Sequence, residues 1–113
     1  MRIKAPLMGE LMYYYVLSQI LNFQVGINEY RIAQNQKIWR KEILPKFNKD
    51  LTIGILGLGY LGSIVGKNLL KNNYNIIAYK KNKKTKKKFR IYYDNQLPLF
   101  IKSSDILINI LPN

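Results

Sequence analysis

Three glycines at a fixed spacing are the residues of this chain best suited to chemistry. Gly57, Gly59 and Gly62 form a G-x-G-x-x-G pattern directly after the apolar residues 51–56 and directly before a helical apolar period. Gly57 permits a tight strand-to-helix turn, Gly59 leaves the backbone accessible to a ligand, and Gly62 lets the helix pack closely on the strand. Because the first N–H groups of such a helix bind phosphate, the pattern favours dinucleotide binding over a purely structural turn.

Two lysines follow the next apolar run, at the position that distinguishes one dinucleotide from another. Lys80 and Lys81 come directly after residues 76–79. An acidic residue at the end of this strand usually binds the ribose 2′-hydroxyl of NAD, whereas cations attract the additional phosphate of NADP. The pair therefore predicts NADP(H) as the preferred cofactor, with NAD(H) possible. The alternative is that both lysines belong to a solvated basic run at residues 80–90.

The chain offers few groups for acid–base or metal chemistry. It has no histidine and no cysteine, which removes the commonest general acid and the commonest metal ligands. The six carboxylates are Glu10, Glu29, Glu42, Asp50, Asp94 and Asp105. We therefore assign no catalytic residue and no metal ligand to this sequence.

The net charge of +13 raises nucleic acid as a possible partner. The composition is also rich in Lys, Asn, Ile and Tyr, as expected of an AT-rich genome, and only clustered charge on one face indicates a binding surface. Nucleic-acid binding is therefore the less favoured interpretation. No apolar run approaches the length of a membrane span, and the sequence predicts a cytoplasmic protein with no membrane partner.

The surrounding elements alternate as in an α/β fold. A helix over residues 7–23 is apolar on nearly all sides and is predicted to be buried on most of its surface. Three further helices are predicted: one at residues 28–37, one that follows the glycine turn, and one at residues 94–102 with Asp94 or Asn95 as N-cap. Strands are predicted at residues 51–56, 75–79, 90–93 and 105–111. Trp39 is predicted to be a core or interface anchor. The fold class is therefore α/β, the first half of a Rossmann-type parallel sheet with about four strands, preceded by a long helix.

In these features the chain resembles the D-isomer-specific 2-hydroxyacid dehydrogenase family, most closely its glyoxylate/hydroxypyruvate reductase A branch. The similarity covers nearly all of the sequence: LMYYYVLSQIL in the first helix, TIGILGLGYLG at the turn, AYKKNKK after the second strand and DILINILPN at the end. The resemblance implies that residues 1–50 are a linking helix and dimer arm and that residues 51–113 are part of an NAD(P)-binding Rossmann domain.

The resemblance also implies roles for individual residues. The pyrophosphate would be held by Gly57, Gly59, Tyr60, Leu61 and Gly62, the 2′-phosphate would face Lys80 and Lys81, and the adenosine half would be bordered by Leu111 and Pro112. This branch usually has a polar residue and an arginine where the chain has two lysines, which keep the charge without the planar stacking of arginine.

The family reduces a 2-keto acid with an arginine, a glutamate and a histidine that lie beyond the strand ending at Leu111. We therefore expect a truncated cofactor-binding part that is inactive alone and acts on a small 2-keto acid only if the chain is completed. The full-length family is expected to form homodimers. The alternatives are a non-catalytic nucleotide-binding module and, less favoured, a basic nucleic-acid-binding protein.

Overall fold

The computed structural model describes residues 5–39, 46–81 and 90–110, with side chains from Leu7 onward. The elements in chain order are α1 (Ala5–Val25), α2 (Ile27–Asn35), a 3-10 turn (Asn48–Asp50), β1 (Thr52–Leu56), α3 (Tyr60–Lys71), β2 (Asn75–Lys80), β3 (Arg90–Tyr93), a second 3-10 turn (Asp94–Gln96), α4 (Leu97–Lys102) and β4 (Ile106–Asn109). The alternation of strands and helices over residues 51–110 is the one predicted from the sequence.

The sheet has four parallel strands in the order β3-β2-β1-β4. β1 lies inside the sheet, where it pairs with β2 from Thr52↔Asn75 to Leu56↔Tyr79 and with β4 on its other side. The apolar runs of β1 and β2 lack polar alternation because helices cover both faces of these strands. The predicted first half of a Rossmann-type sheet is therefore confirmed.

Alternate residues of β1 face two separate layers of helices. Ile53 and Ile55 point toward α1 and α3, while Gly54 between them points toward α4. The buried core on the α1/α3 side consists mainly of Val16, Ile20, Leu51, Ile53, Ile55, Val65, Leu69, Ile76 and Ala78. On the α4 side Ile77, Tyr92 and Phe100 form a smaller cluster. The glycine turn after β1 is thus supported by a core on each face.

α1 packs on this fold through one side only. Val16 and Ile20 are buried. At Gly9, α1 crosses α3 so closely that an added Cβ would lie 2.5 Å from Cδ1 of Ile64 in α3. The other sides of α1 expose Leu7, Met8, Leu11, Tyr14, Tyr15, Leu21, Phe23 and Val25. The prediction that α1 is buried on most of its surface is therefore wrong for the contacts within a single chain.

A chain of side-chain hydrogen bonds joins α1 to the amino ends of β1 and β2. The Tyr74 hydroxyl donates to Oε1 of Gln24 at 2.8 Å, and Nε2 of Gln24 donates to Oδ1 of Asn48 at 2.6 Å. Asn48 donates in turn to the Asn72 carbonyl, and Asn72 donates to the Tyr13 hydroxyl. A tyrosine hydroxyl is protonated near neutral pH and can therefore donate, and burial raises the pKa of Tyr74 further.

Two local features differ from the sequence-based predictions. Trp39 is 81% exposed, so it is not a core residue, and its role as an interface anchor stays a prediction. The helix predicted over residues 94–102 is divided, because Asp94 has a φ of 53° and begins a 3-10 turn, so that Gln96 is the N-cap of α4. In the three described ranges, no helix is both long and apolar enough to cross a membrane.

We predict that Gln24→Ala destabilises the protein by about 2 kcal/mol, because it leaves the buried Tyr74 hydroxyl and Oδ1 of Asn48 without their partner. Urea denaturation followed by circular dichroism measures the loss. Gln19→Ala is the matched control, since Gln19 lies on the same helix and is exposed. Equal stability of the two variants would contradict a structural role for the network.

Candidate dinucleotide-binding site

The turn between β1 and α3 has a backbone conformation that requires glycine at its first position. Gly57 follows Leu56 directly and has a φ of 105°, a region that is strained for any residue with a Cβ. Its N–H donates to the Tyr79 carbonyl at 3.2 Å, which ties the turn to the carboxyl end of β2. The chain therefore reverses from strand to helix within three residues, from Gly57 to Gly59.

Gly62 and Gly59 differ in what surrounds the missing side chain. A Cβ at Gly62 would overlap the Gly57 carbonyl oxygen and would lie 3.5 Å from Cγ2 of Ile55, so α3 can lie this close to β1 only with glycine there. A Cβ at Gly59 would have no atom within 4 Å. Gly59 is exposed and leaves an open approach to the backbone, as a bound pyrophosphate requires.

The amino end of α3 offers backbone donors with no intrahelical partner. The first regular bond of the helix runs from the Ser63 N–H to the Gly59 carbonyl at 2.9 Å, which leaves the N–H groups of Tyr60, Leu61 and Gly62 directed outward. The N-cap Gly59 supplies no side-chain acceptor, and the first turn of α3 has no acidic residue. Together with the positive end of the helix dipole, these donors suit an anionic phosphate group.

The two lysines lie at the same edge of the sheet as the glycine turn. Lys80 is the last residue of β2 and is half-buried, while Lys81 follows the strand and is exposed. The register Leu56↔Tyr79 places the ends of β1 and β2 level with each other. Lys80 directly follows Tyr79, whose carbonyl accepts the Gly57 N–H, so the two lysines come immediately after the point where β2 contacts the glycine turn.

The end of β4 reaches this edge as well. The Ile110 N–H donates to the Leu56 carbonyl at 2.9 Å, so the chain leaves β4 beside the last residue of β1. Leu111 and Pro112 follow, but both lie outside the described residues, as does most of the basic run at 80–90. In the described ranges there is no group of three acidic, histidine or cysteine side chains that could hold a metal.

Sequence reasoning missed two residues that shape this edge. A Cβ at Gly54 would overlap Ser104 and lie 3.0 Å from the Phe100 ring, so this glycine allows α4 to pack directly on β1. The sequence feature that could have indicated this close packing is a glycine in the middle of an apolar strand. Tyr79 contacts both the turn and the end of β3, and nothing in the sequence distinguishes it from an ordinary strand tyrosine.

The sheet order and the glycine turn at its carboxyl edge define a nucleotide-binding Rossmann domain. The sequence model for the NAD binding domain of the D-isomer specific 2-hydroxyacid dehydrogenases matches residues 17–113. The chain belongs to this family, which confirms the resemblance noted in the sequence. It follows that the domain binds a nicotinamide dinucleotide.

Solved structures of this family have the same fold. A D-isomer specific 2-hydroxyacid dehydrogenase from Xanthobacter autotrophicus Py2, in complex with NADPH and MES, is 25% identical with a TM-score of 0.88 over 99% of this chain and 46% of that chain. A family protein from Klebsiella pneumoniae 342 is 27% identical with a TM-score of 0.88, over 98% of this chain and 35% of that one. This chain therefore spans less than half the length of both proteins.

A third similar structure is the NADPH-dependent glyoxylate/hydroxypyruvate reductase from Sinorhizobium meliloti in its apo form. It is 24% identical, with a TM-score of 0.82, over 93% of this chain and 52% of that chain. At this identity the likeness establishes the shared fold.

The different surroundings of the two glycines predict different effects of adding a methyl group. Gly62→Ala should destabilise the protein by about 2 kcal/mol, because the new Cβ overlaps the Gly57 carbonyl. Gly59→Ala should cost less than about 1 kcal/mol, the difference between glycine and alanine at an N-cap, but weaken dinucleotide binding by about tenfold or more, because its Cβ occupies the approach to the backbone. Thermal melting and fluorescence titration with NADPH separate the two effects. Unchanged binding in a folded Gly59→Ala variant would contradict the site.

Proposed function

We propose that this chain is the cofactor-binding part of an NADPH-dependent 2-hydroxyacid dehydrogenase that resembles the glyoxylate/hydroxypyruvate reductases. The observation that carries the proposal is the coincidence of an open, glycine-bounded helix terminus with two lysines at one edge of the sheet. The similar proteins from X. autotrophicus and S. meliloti, one bound to NADPH and the other named as an NADPH-dependent reductase, support the same cofactor.

The glycine turn and the start of α3 are proposed to hold the pyrophosphate. Gly57 shapes the turn, Gly59 leaves room for the phosphate oxygens, and the N–H groups of Tyr60, Leu61 and Gly62 donate to them. Such donors are already oriented before the ligand binds, because the bond from Ser63 to Gly59 and the packing of Gly62 fix the first turn of the helix. Little ordering entropy is then lost on binding.

The adenosine end of the cofactor is proposed to lie between the ends of β2 and β4. Lys80 and Lys81 attract the 2′-phosphate, which carries the charge that NAD lacks. Leu111 and Pro112 follow Ile110, which is bonded to the end of β1, and are proposed to border the adenosine half from the other side. This arrangement supports NADP(H) over NAD(H), although the ammonium groups lack the planar fork of arginine.

The bound nicotinamide would supply the hydride for reduction of a 2-keto acid. The residues of this chain bind and orient the cofactor, and none of them is assigned to grip the substrate carboxylate or to donate the proton. With no histidine in the sequence, we infer that the 113-residue chain does not reduce a 2-keto acid by itself. A cytoplasmic location stays a prediction from the sequence.

Replacing both lysines tests the proposed cofactor preference. Lys80→Gln with Lys81→Gln should weaken NADPH binding by about tenfold to a hundredfold, because two charge-assisted contacts are lost, and should change NADH binding by less than about twofold. Fluorescence titration with each cofactor gives the two dissociation constants. The matched control is Lys67→Gln with Lys71→Gln, which removes the same charge from the exposed surface of α3. Equal losses for NADPH in both double variants would contradict the assignment.

A second copy of the chain is the proposed partner of the arm formed by α1 and α2. Residues 7–39 carry only the charges of Glu10, Glu29, Arg31 and Lys37, so this segment is neutral in a chain of net charge +13. Two such chains repel each other over most of their surface, and the neutral, apolar side of the arm is where that repulsion is smallest. An exposed apolar surface of this extent is typical of an interface.

Leu11→Glu is predicted to convert the dimer to a monomer, because it places a charge on the exposed side of α1 that would be desolvated at the interface. Light scattering after size-exclusion chromatography measures the mass in solution. Lys102→Gln is the control, since it lowers the net charge by the same amount on α4. A monomeric wild-type chain, or a Leu11→Glu variant that stays dimeric, would overturn this interface.

A further inference from the structure

Tyr79 connects three parts of the proposed cofactor site. Its carbonyl accepts the Gly57 N–H at 3.2 Å, and its hydroxyl donates to the Asp94 carbonyl at 2.8 Å. Its ring packs against Phe100 of α4, with 5.8 Å between the ring centroids. The residue directly before Lys80 is therefore fixed by its backbone to the glycine turn and by its side chain to the segment that follows β3.

The groups that hold the Tyr79 side chain are themselves rigid. Phe100 is fully buried and also packs against the Tyr92 ring, whose centroid lies 5.9 Å away. Asp94 has a φ of 53°, a left-handed conformation that is uncommon outside glycine, although aspartate adopts it more readily than most residues, and constraints from neighbouring groups stabilise it. The Tyr79 hydroxyl supplies one such constraint, since it bonds the carbonyl of Asp94 itself. The end of β2 is thus attached to a defined point beyond the end of β3.

The positions of the two lysine charges depend on the backbone at the end of β2, where Lys80 pairs with Tyr93 of β3. Lys80 is half-buried at the last position of β2, and Lys81 is exposed one residue later. A lysine is a point charge on a flexible stem, so its ammonium group reaches a range of positions, and the backbone at the end of β2 sets where that range is centred. Any freedom at Tyr79 would increase the volume over which both charges are spread.

We propose that Tyr79 is a positioning residue for cofactor selectivity. Through its bond to Asp94 the hydroxyl fixes the direction in which Lys80 and Lys81 leave β2, and so holds their charges at the 2′-phosphate. This inference rests on the proposed NADPH function. It concerns selectivity and not overall affinity, because the bond between the Tyr79 carbonyl and Gly57 belongs to the main chain and persists without the hydroxyl.

Tyr79→Phe removes the hydroxyl and keeps the ring on Phe100. It is expected to weaken NADPH binding by about fivefold while NADH binding changes by less than about twofold. In the background of Lys80→Gln and Lys81→Gln, the same substitution is expected to change neither dissociation constant, since the charges that it positions are gone. Fluorescence titrations of the four proteins with both cofactors complete the cycle.

Tyr13→Phe is the matched control. It removes a hydroxyl that accepts a hydrogen bond from Asn72 at the opposite end of the sheet, so it is expected to lower stability without changing the ratio of the two dissociation constants. The control therefore separates a general loss of stability from the change in cofactor selectivity expected of Tyr79→Phe.

Two results would overturn the role of Tyr79 alone. One is a Tyr79→Phe variant whose ratio of NADH to NADPH dissociation constants is unchanged, while the double lysine variant loses its preference for NADPH. The other is a Tyr79→Phe variant that loses equal affinity for both cofactors. A wild-type protein without any preference for NADPH, or a preference that survives replacement of both lysines, would instead overturn the proposed function and this inference with it. The wild-type and double-variant titrations therefore distinguish the two failures.

Discussion

The close approach of α3 to β1 is the constraint on which the site depends. Because Gly62 has no side chain, the helix rests against the Gly57 carbonyl and its first turn lies over the carboxyl end of the central strand. The parallel register then brings Lys80 and the end of β4 to the same edge. A larger residue at Gly62 would move the helix terminus away from this edge, and the backbone donors would no longer converge with the charges.

Net charge and exposed apolar surface are separated along the chain. The positive charge belongs almost entirely to the sequence outside residues 7–39, while the exposed large apolar side chains are concentrated on α1 and α2. The proposed cofactor site lies at the charged edge of the sheet, and the proposed surface for self-association lies on the neutral arm. Because these two surfaces do not overlap, one composition rich in lysine and isoleucine is compatible with both proposals.

Local patterns predicted the βαβ unit because glycine, apolar runs and helical periodicity are properties of neighbouring residues. The exposure of α1 was not predictable in this way, since an apolar helix surface in a sequence does not show whether it is buried within its own chain or against another molecule. The 3-10 turn at Asp94 has a local bond from the Tyr93 N–H to Oε1 of Gln96, and the Tyr79 hydroxyl, 15 residues earlier in the sequence, also bonds the Asp94 carbonyl. This second contact is tertiary and is not visible in the local pattern. Likewise Gly54 was missed, because its neighbours Phe100 and Ser104 are distant from it in the sequence.

The crossing of α1 and α3 at Gly9 has a mechanical consequence. With no side chain between them, the backbone of one helix lies on Ile64 of the other, and the bonds among Gln24, Tyr74 and Asn48 hold the far end of α1. α1 is therefore attached to the rest of the fold near both of its ends. Since the 21 residues of α1 extend over about 30 Å, a rotation of a few degrees about one attachment would displace the other end by about 2 Å.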